Sequence, residues 1–312
     1  MANIKFSIII PAYKAKFLKE CIDSILAQTY NDYELIILND ASPENIESII
    51  LAYDNSRIRY YKNSVNVGAV NVVDNWNKCL EYVNGDYIIC MGDDDRLLPN
   101  CLDEYNRLIT EHPGMGVYHA WTEIINEESE IIDMQEPRPL WESIYSEAFF
   151  RIKGRSQFIG DFLFDVRKLK AKGGFVKRPL AWGSDDFTVL EVAKDSGIVN
   201  SQVPMFQYRI NSKTITNTGN TELKIKAIKM SKTNTCLDTR PQNALDLIYW
   251  KIIKDNSTNN YRQSITDNVA TDISTHNIFR IFFWFRKINY LEITYKDLLL
   301  SFFLGMKRKL YK

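Results

Sequence analysis

The stretch Tyr87-Ile88-Ile89-Cys90-Met91-Gly92-Asp93-Asp94-Asp95 decides how the rest of this 312-residue chain is read. Its first half is short, apolar and preceded by the turn-forming pair Asn84-Gly85, the pattern of a fully buried strand. Its second half is three consecutive carboxylates, followed by Arg96-Leu97-Leu98-Pro99. A buried strand is rigid, so its acidic end is held at the edge of a sheet, and in open α/β sheets ligands bind at that edge. Three adjacent carboxylates repel one another unless a cation or abundant water screens them. A hard divalent metal carrying substrate phosphates meets that need. The other reading is a solvated acidic turn ahead of a helix that starts near Pro99.

Working outward, Phe6-Ser7-Ile8-Ile9-Ile10 is a buried-strand signal stopped by Pro11-Ala12-Tyr13. The apolar pairs Phe17/Leu18, Cys21/Ile22 and Ile25/Leu26 then repeat every four residues, as on a helix. Tyr33 to Leu38 is a second strand ending at Asn39-Asp40, after which Ser42 and Pro43 have the types of an N-cap and a first helical residue. Ile58 to Tyr61 is a short third strand. Ala69, Val72, Val73, Trp76, Leu80 and Val83 share one helical face, which assigns Trp76 to the core. Strands alternating with helices of this length predict an α/β fold with a mostly parallel, Rossmann-like sheet flanked by helices. No GxGxxG follows the first strand and no GxxxxGK[ST] occurs, so two common nucleotide-binding readings lose support.

Composition sets broader bounds. Lys plus Arg and Asp plus Glu each number 39, and zero net charge gives no sign of nucleic acid as a partner. Five cysteines (Cys21, Cys79, Cys90, Cys101, Cys236) lack CxxC spacing, which suits buried reduced thiols in a cytosolic compartment better than disulfides or zinc. Met1 to Lys5 runs straight into a strand, so no signal peptide is expected. No apolar run approaches the ~18 residues that a membrane span needs. The expected location is cytoplasmic.

The ordered set Ser7-Ile8-Ile9-Ile10-Pro11-Ala12-Tyr13, Leu35 to Ser42, Asn66-Val67-Gly68 and Gly85-Asp86-Tyr87-Ile88 leading into Asp93-Asp94-Asp95 resembles the family 2 glycosyltransferases of GT-A fold. The likeness covers roughly the first 110 residues. It implies an inverting enzyme that moves a sugar from a nucleotide-sugar, a UDP-sugar by preference, to an acceptor hydroxyl with the help of Mn2+ or Mg2+. Two departures stand out. The family commonly shows Asp-x-Asp-Asp, and Gly92 occupies the first Asp position; the Arg often found near the Asn-x-Gly segment is missing.

Chemistry and resemblance together assign roles. Pro11, Ala12 and Tyr13 at one strand end offer backbone and ring to a nucleotide base, and Asp40 at the next offers a carboxylate to its imide N–H. The structural alternative for Asp40 is an Asx-turn ahead of Ser42. By alignment Asp94 is the direct metal ligand, with Asp95 second and Asp93 toward the ribose; a metal there stabilises the leaving diphosphate as a Lewis acid. Asn66 and Gly68 either face the diphosphate or form a turn.

Beyond Pro99 a helix runs to about Glu111, closed by His112-Pro113-Gly114. Val117 to Trp121, Ile124-Ile125 and Ile131-Ile132 read as strands around a turn, with His119 packed in a strand. Phe158 to Phe164 again resembles the family. Trp182-Gly183-Ser184-Asp185-Asp186 opens a helix that Ser184 can cap, and acidic residues suit the dipole of its first turn. The resemblance places the catalytic base in this acidic pair: Asp186 first, Asp185 second. Inverting transfer needs such a carboxylate to take the acceptor hydroxyl's proton. Arg209 and Asn211, in a segment similar to the family's Tyr-Arg stretch, fall on the diphosphate or acceptor side, and Lys213 nearby reads first as surface charge and second as a diphosphate contact.

The catalytic domain is expected to span 1–215, with nucleotide-sugar binding in 1–112 and the acceptor part in 113–215. A helical region, 216–312, follows, interrupted at Pro241 and by the polar run Asp255 to Asn260. From His276 to Lys312 aromatic and aliphatic clusters alternate with eight Lys/Arg against two Asp/Glu. That composition suits either an interfacial helix on the inner face of a membrane or helices packed on the catalytic domain or a partner. Membrane contact would suit a lipid-linked acceptor, and a glycan is the broader expectation. Two rivals remain: a sugar nucleotidyltransferase, which wants a Gly-rich basic loop that Ala12-Tyr13-Lys14 does not supply, and a non-catalytic glycan-binding protein on a degenerate transferase fold.

Overall fold

A computed structural model describes residues 4–211, 220–231 and 236–311. The expected domain boundary near 215 and Lys213 lie outside the described residues. The strand of Phe6–Ala12 (β1) is flanked in parallel by Tyr33–Asn39 (β2) and Tyr87–Cys90 (β4), and Ile58–Lys62 (β3) lies parallel beyond β2. Their register pairs Ala12 with Asn39 and Ile9 with Cys90, so three carboxyl ends finish at one sheet edge. The sheet continues from β4 through Phe162–Asp165 (β9) and Val117–Ile125 (β6) to Ile198–Arg209 (β10). β9 is antiparallel to both β4 and β6, while β6 and β10 are parallel, so β10 runs in the sense of β4 and brings Arg209 to the same edge. Arg96–Leu97 (β5) and Trp141–Glu142 (β8) pair antiparallel with β10, and Ile131–Met134 (β7) forms the expected hairpin with β6.

Why β1 reads as an unbroken apolar run is now visible. Ile8 and Ile10 face one core, with the helices Leu18–Leu26 (α1) and Cys101–Glu111 (α4); Ile9 faces the other, with Val72–Glu81 (α3) and Ser184–Ala193 (α7). All three isoleucines are fully buried, each worth about 1.5–3 kcal/mol in transfer free energy. Trp76 packs in the second core, edge-on to Phe175. His119 is buried against Phe162, and burial, then Arg138 and Arg155, hold its imidazole well below the usual histidine range.

Three local expectations are corrected. The helix Ile46–Leu51 (α2) is capped by Asn45, whose Oδ1 accepts from Ser48 N at 3.3 Å; Ser42 instead donates its hydroxyl to Tyr13 O at 2.6 Å. Gly183, at φ +77°, is the N-cap of α7, because the chain enters the helix through a left-handed turn, and Ser184 is already inside it. The polar run Asp255 to Asn260 does not interrupt a helix.

That run lies within one 32-residue helix, Ala244–Thr275. Counting Ile144–Ile152 (α5), Val166–Ala171 (α6) and Thr221–Met230 (α8), the long helix is α9. It is capped by Asn243 and stays ordered because neighbouring positions bury apolar groups against Arg280–Arg286 (α10), Ile288–Leu291 (α11) and Tyr295–Leu310 (α12). Trp284 of α10 is buried there and donates Nε1–H to Asp272 Oδ2 at 2.8 Å. Gly305 allows α12 to close on α9: an added Cβ would stand 2.9 Å from Ala270 O. These C-terminal helices are tied to the rest of the chain by Arg178, which donates to Ala227 O at 2.6 Å, and by Tyr145, which donates to Thr239 O at 2.7 Å. Among the described residues no helix is long and apolar enough to cross a membrane.

Candidate active site

The acidic end of β4 is not a solvated turn. Asp93 and Asp95 are 8% and 5% exposed, and each is held by backbone donors from another strand end. Asp93 Oδ2 accepts from Tyr13 N and Lys14 N, both at 2.7 Å, clasping the loop after β1 to the end of β4. Asp95 accepts from Arg209 N at 3.0 Å and Gly92 N at 3.2 Å, fastening the end of β10. Burial, then the Asp94 charge, pushes the Asp93 carboxyl up to about 6, and the same two causes hold Asp95 well above the usual range.

Asp94 is the member turned outward. Its Oδ2 accepts from Asn211 Nδ2 at 2.5 Å, with Lys14 Nζ at 3.8 Å. Gly92 makes room for this arrangement: a Cβ there would stand 2.8 Å from Asp94 Oδ1 and 2.9 Å from Asp95 Oδ2. Arg209 is buried, and its guanidinium is spent within the chain. Nε donates to Asp94 O at 2.8 Å, Nη2 to Glu20 Oε2 at 2.8 Å and Nη1 to Asn126 O at 2.9 Å, while the group lies over the Phe17 ring. Arg209 therefore braces the acidic turn from behind. Among the described residues no three His, Cys, Asp or Glu side chains gather into a metal cage. One outward carboxylate beside an open sheet edge suits a hard divalent cation that completes its shell with oxygens from elsewhere.

At the end of β2, Asp40 is buried, and its Oδ1 accepts from Asn63 Nδ2 at 2.8 Å and Val67 N at 3.1 Å. The Asx-turn toward Ser42 is made by Asn39, whose Oδ1 accepts from Ser42 N at 2.9 Å. Asp40 Oδ2 makes no hydrogen bond among the described residues. Asn66 donates to Asp40 O at 3.0 Å and accepts from Gly68 N, and Gly68 takes φ +75°, so this segment is a turn that braces Asp40. Pro11 and Ala12 finish β1, and Tyr13 is 43% exposed beside them.

The second acidic pair opens α7. Asp186 Oδ1 accepts from Arg151 Nε at 2.6 Å and Gln157 Nε2 at 2.8 Å. Arg151 closes α5 and Gln157 sits in the loop before β9, so two elements distant in sequence aim this carboxylate. Burial, with help from the Asp186 charge and against the pull of Arg151, raises the Asp185 carboxyl to about 7. Tyr208 of β10 precedes Arg209, whose backbone N–H holds Asp95. Its ring stacks on Phe158 at 3.4 Å, and its hydroxyl is raised by burial first, then by Asp95, Asp94, Asp161 and Asp185.

Arg151, Gln157, Tyr208 and Lys14 were not expected from sequence as site residues. Lys14, adjoining Pro11-Ala12-Tyr13, and Tyr208, in the Tyr-Arg stretch before Asn211, had a local signal. The others depend on contacts 29 to 35 residues apart, which periodicity does not reveal.

Comparison with known proteins fits this geometry. The family model described as "Glycosyl transferase family 2" matches residues 7–167, just over half of the chain. An uncharacterized glycosyltransferase of Rickettsia typhi is 30% identical over 133 residues, 42% of this chain and 40% of that protein. The Escherichia coli UDP-Glc:alpha-D-GlcNAc-diphosphoundecaprenol beta-1,3-glucosyltransferase WfgD is 31% identical over 130 residues, 41% of this chain and 50% of that one. The chain thus matches half or less of the length of these relatives. S. aureus TarS in complex with UDP-GlcNAc superposes with a TM-score of 0.65 at 13% identity, covering 99% of this chain and 93% of that one. The mannosyltransferase PcManGT of Pyrobaculum calidifontis, in complex with GDP-Man and Mn2+, gives 0.54 at 14% identity, covering 99% and 88%. At such identities the two structures speak to the fold alone.

Proposed function

The chain belongs to glycosyl transferase family 2, and from that premise we propose that it transfers a sugar from a nucleotide-diphosphate sugar to an acceptor hydroxyl with inversion at the anomeric carbon. The observation that carries this reading is the carboxyl edge of the sheet, where Asp94 turns outward at the end of β4 beside Asn211 and Lys14, and Asp40 at the end of β2 has only its Oδ1 engaged among the described residues. On the donor side, the loop of Pro11, Ala12 and Tyr13 seats the base and Asp40 Oδ2 accepts its imide N–H. Asp93 holds that loop in place through its two backbone donors. Asp94, oriented by Asn211 and Lys14 and braced by Arg209, would hold a Mn2+ or Mg2+, while Asp95 closes the turn. The metal, when bound, neutralises charge growing on the leaving diphosphate.

On the acceptor side, Asp186 takes the hydroxyl proton as the oxygen attacks the anomeric carbon and the bond to the diphosphate breaks. Arg151 and Gln157 occupy one carboxyl oxygen and leave the other for this work. A UDP-sugar is favoured as donor, in keeping with the names of WfgD and of the TarS complex, and a glycan or lipid-linked saccharide of bacterial surface polysaccharide is the acceptor. The exposed Phe279, Phe282, Phe285 and Phe303, beside Arg286, Lys307 and Lys309, rest on the inner, anionic face of a membrane. Sedimentation with phosphatidylglycerol vesicles, lost in Phe282→Ser/Phe303→Ser, checks that contact. The function itself is tested by incubating the protein with UDP-Glc, UDP-GlcNAc or GDP-Man and a trisaccharide acceptor, with Mn2+ or with chelator, and reading nucleotide release and the anomer of the glycoside product by NMR. Metal-dependent release with an inverted product is expected; a retained anomer would refute the mechanism.

A further inference from the structure

A cleft of about 850 Å3 opens between α5, the start of α7 and the middle of α9. Arg151, Gln157 and Asp186 line it, so it leads to the candidate base and not to the acidic end of β4. Its volume lies within the ~300–1,000 Å3 of small-ligand sites. Its lining has two further characters. Phe187, Leu190 and Ile253 supply apolar surface, and Thr258, Asn260 and Gln263 of α9 supply a hydroxyl and two amides with no hydrogen bond among the described residues. Most charges around the cleft are answered within the chain: Lys254 pairs with Asp238 at 2.6 Å, Arg308 with Asp267 at 2.9 Å, Lys229 with Glu292 at 2.6 Å, and buried Glu147 with Arg138 and Arg155, while Arg262 reaches Asp297 at 3.9 Å and its Nε makes no hydrogen bond among the described residues. A charged ligand would have to break such pairs, whereas a neutral one need not.

A pyranose has an apolar C–H face and a rim of hydroxyls, which matches apolar walls edged with free amides. We propose that this cleft binds a neutral saccharide chain and presents its end to Asp186, making the polar run of α9 a specificity element for the acceptor. The identification of that chain as the acceptor rests on the transferase reading above; the binding site itself does not. The test is saturation-transfer NMR on the full chain with chitotriose, cellotriose and maltotriose as probes, alongside titrations of UDP and of GDP with Mn2+. At least one trisaccharide is expected to bind, and Asn260→Trp, which fills the cleft, to raise its dissociation constant tenfold or more while nucleotide binding is kept. Thr258→Trp, on an exposed turn of the same helix, serves as a second variant should the first fail to fold. No binding of any trisaccharide, or unchanged affinity in the folded variants, overturns the site. Saccharide binding with neither UDP nor GDP bound in the presence of Mn2+ would uphold the cleft and remove the transferase reading.

Discussion

The two acidic centres are built in different ways. At the end of β4, Asp93 and Asp95 are fixed by backbone N–H groups of β1's loop and of β10, so the sheet itself positions them. At the start of α7, Asp186 is fixed by two side chains, Arg151 and Gln157, brought from α5 and the loop before β9. A backbone-held site tolerates side-chain variation around it and depends on its own carboxylates. A side-chain-held site can be retuned by changing a residue that never touches the donor.

Substitutions should separate the two. Asp94→Ala is expected to have the largest effect, a loss of roughly a thousandfold or more in kcat/KM, because metal stabilisation is worth several kcal/mol. Nucleotide binding should lose its metal dependence with it. Asp186→Asn should cost about 10²–10⁴-fold in turnover, the range for a general base, with metal-dependent nucleotide binding intact by calorimetry. Equal damage to both readouts would mean that the centres are not separable.

A smaller and more specific effect concerns Asp185. With its carboxyl raised to about 7, it is protonated below that pH and ionised above, so activity should rise through pH 7 as the second negative charge beside Asp186 appears. Arg151→Gln removes a positive charge that lowers this carboxyl, so the rising limb of the pH–rate profile should move to higher pH, with about tenfold less activity at pH 7. An unmoved limb would detach Arg151 from the base. Gly92→Ala should be mildest: the new methyl displaces only the ends of Asp94 and Asp95, weakening metal-dependent nucleotide binding a few-fold.

The same contrast explains what could be read from sequence. The proposed donor side was legible because strand ends carry their polar residues locally: Ala12-Tyr13, Asn39-Asp40 and Asp93-Asp94-Asp95 each follow an apolar run directly. Its inner wiring was not. Nothing local indicates that Asn39 makes the Asx-turn and leaves Asp40 free, or that Arg209 turns inward onto Glu20. On the acceptor side the acidic pair was visible, but its partners come from other elements. The appendage was hardest to read, because α9 carries polar residues through its middle and owes its continuity to packing of Ile265, Val269 and Ile273 against α10 to α12.

The measurement that bears most directly on the account is calorimetric titration of UDP into the protein with and without Mn2+, repeated on Asp94→Ala. Binding that requires the metal in the natural sequence and is abolished by the substitution is the predicted result. UDP binding that is indifferent to Mn2+ and unchanged in Asp94→Ala would contradict the assignment of the β4 end as the metal and donor site.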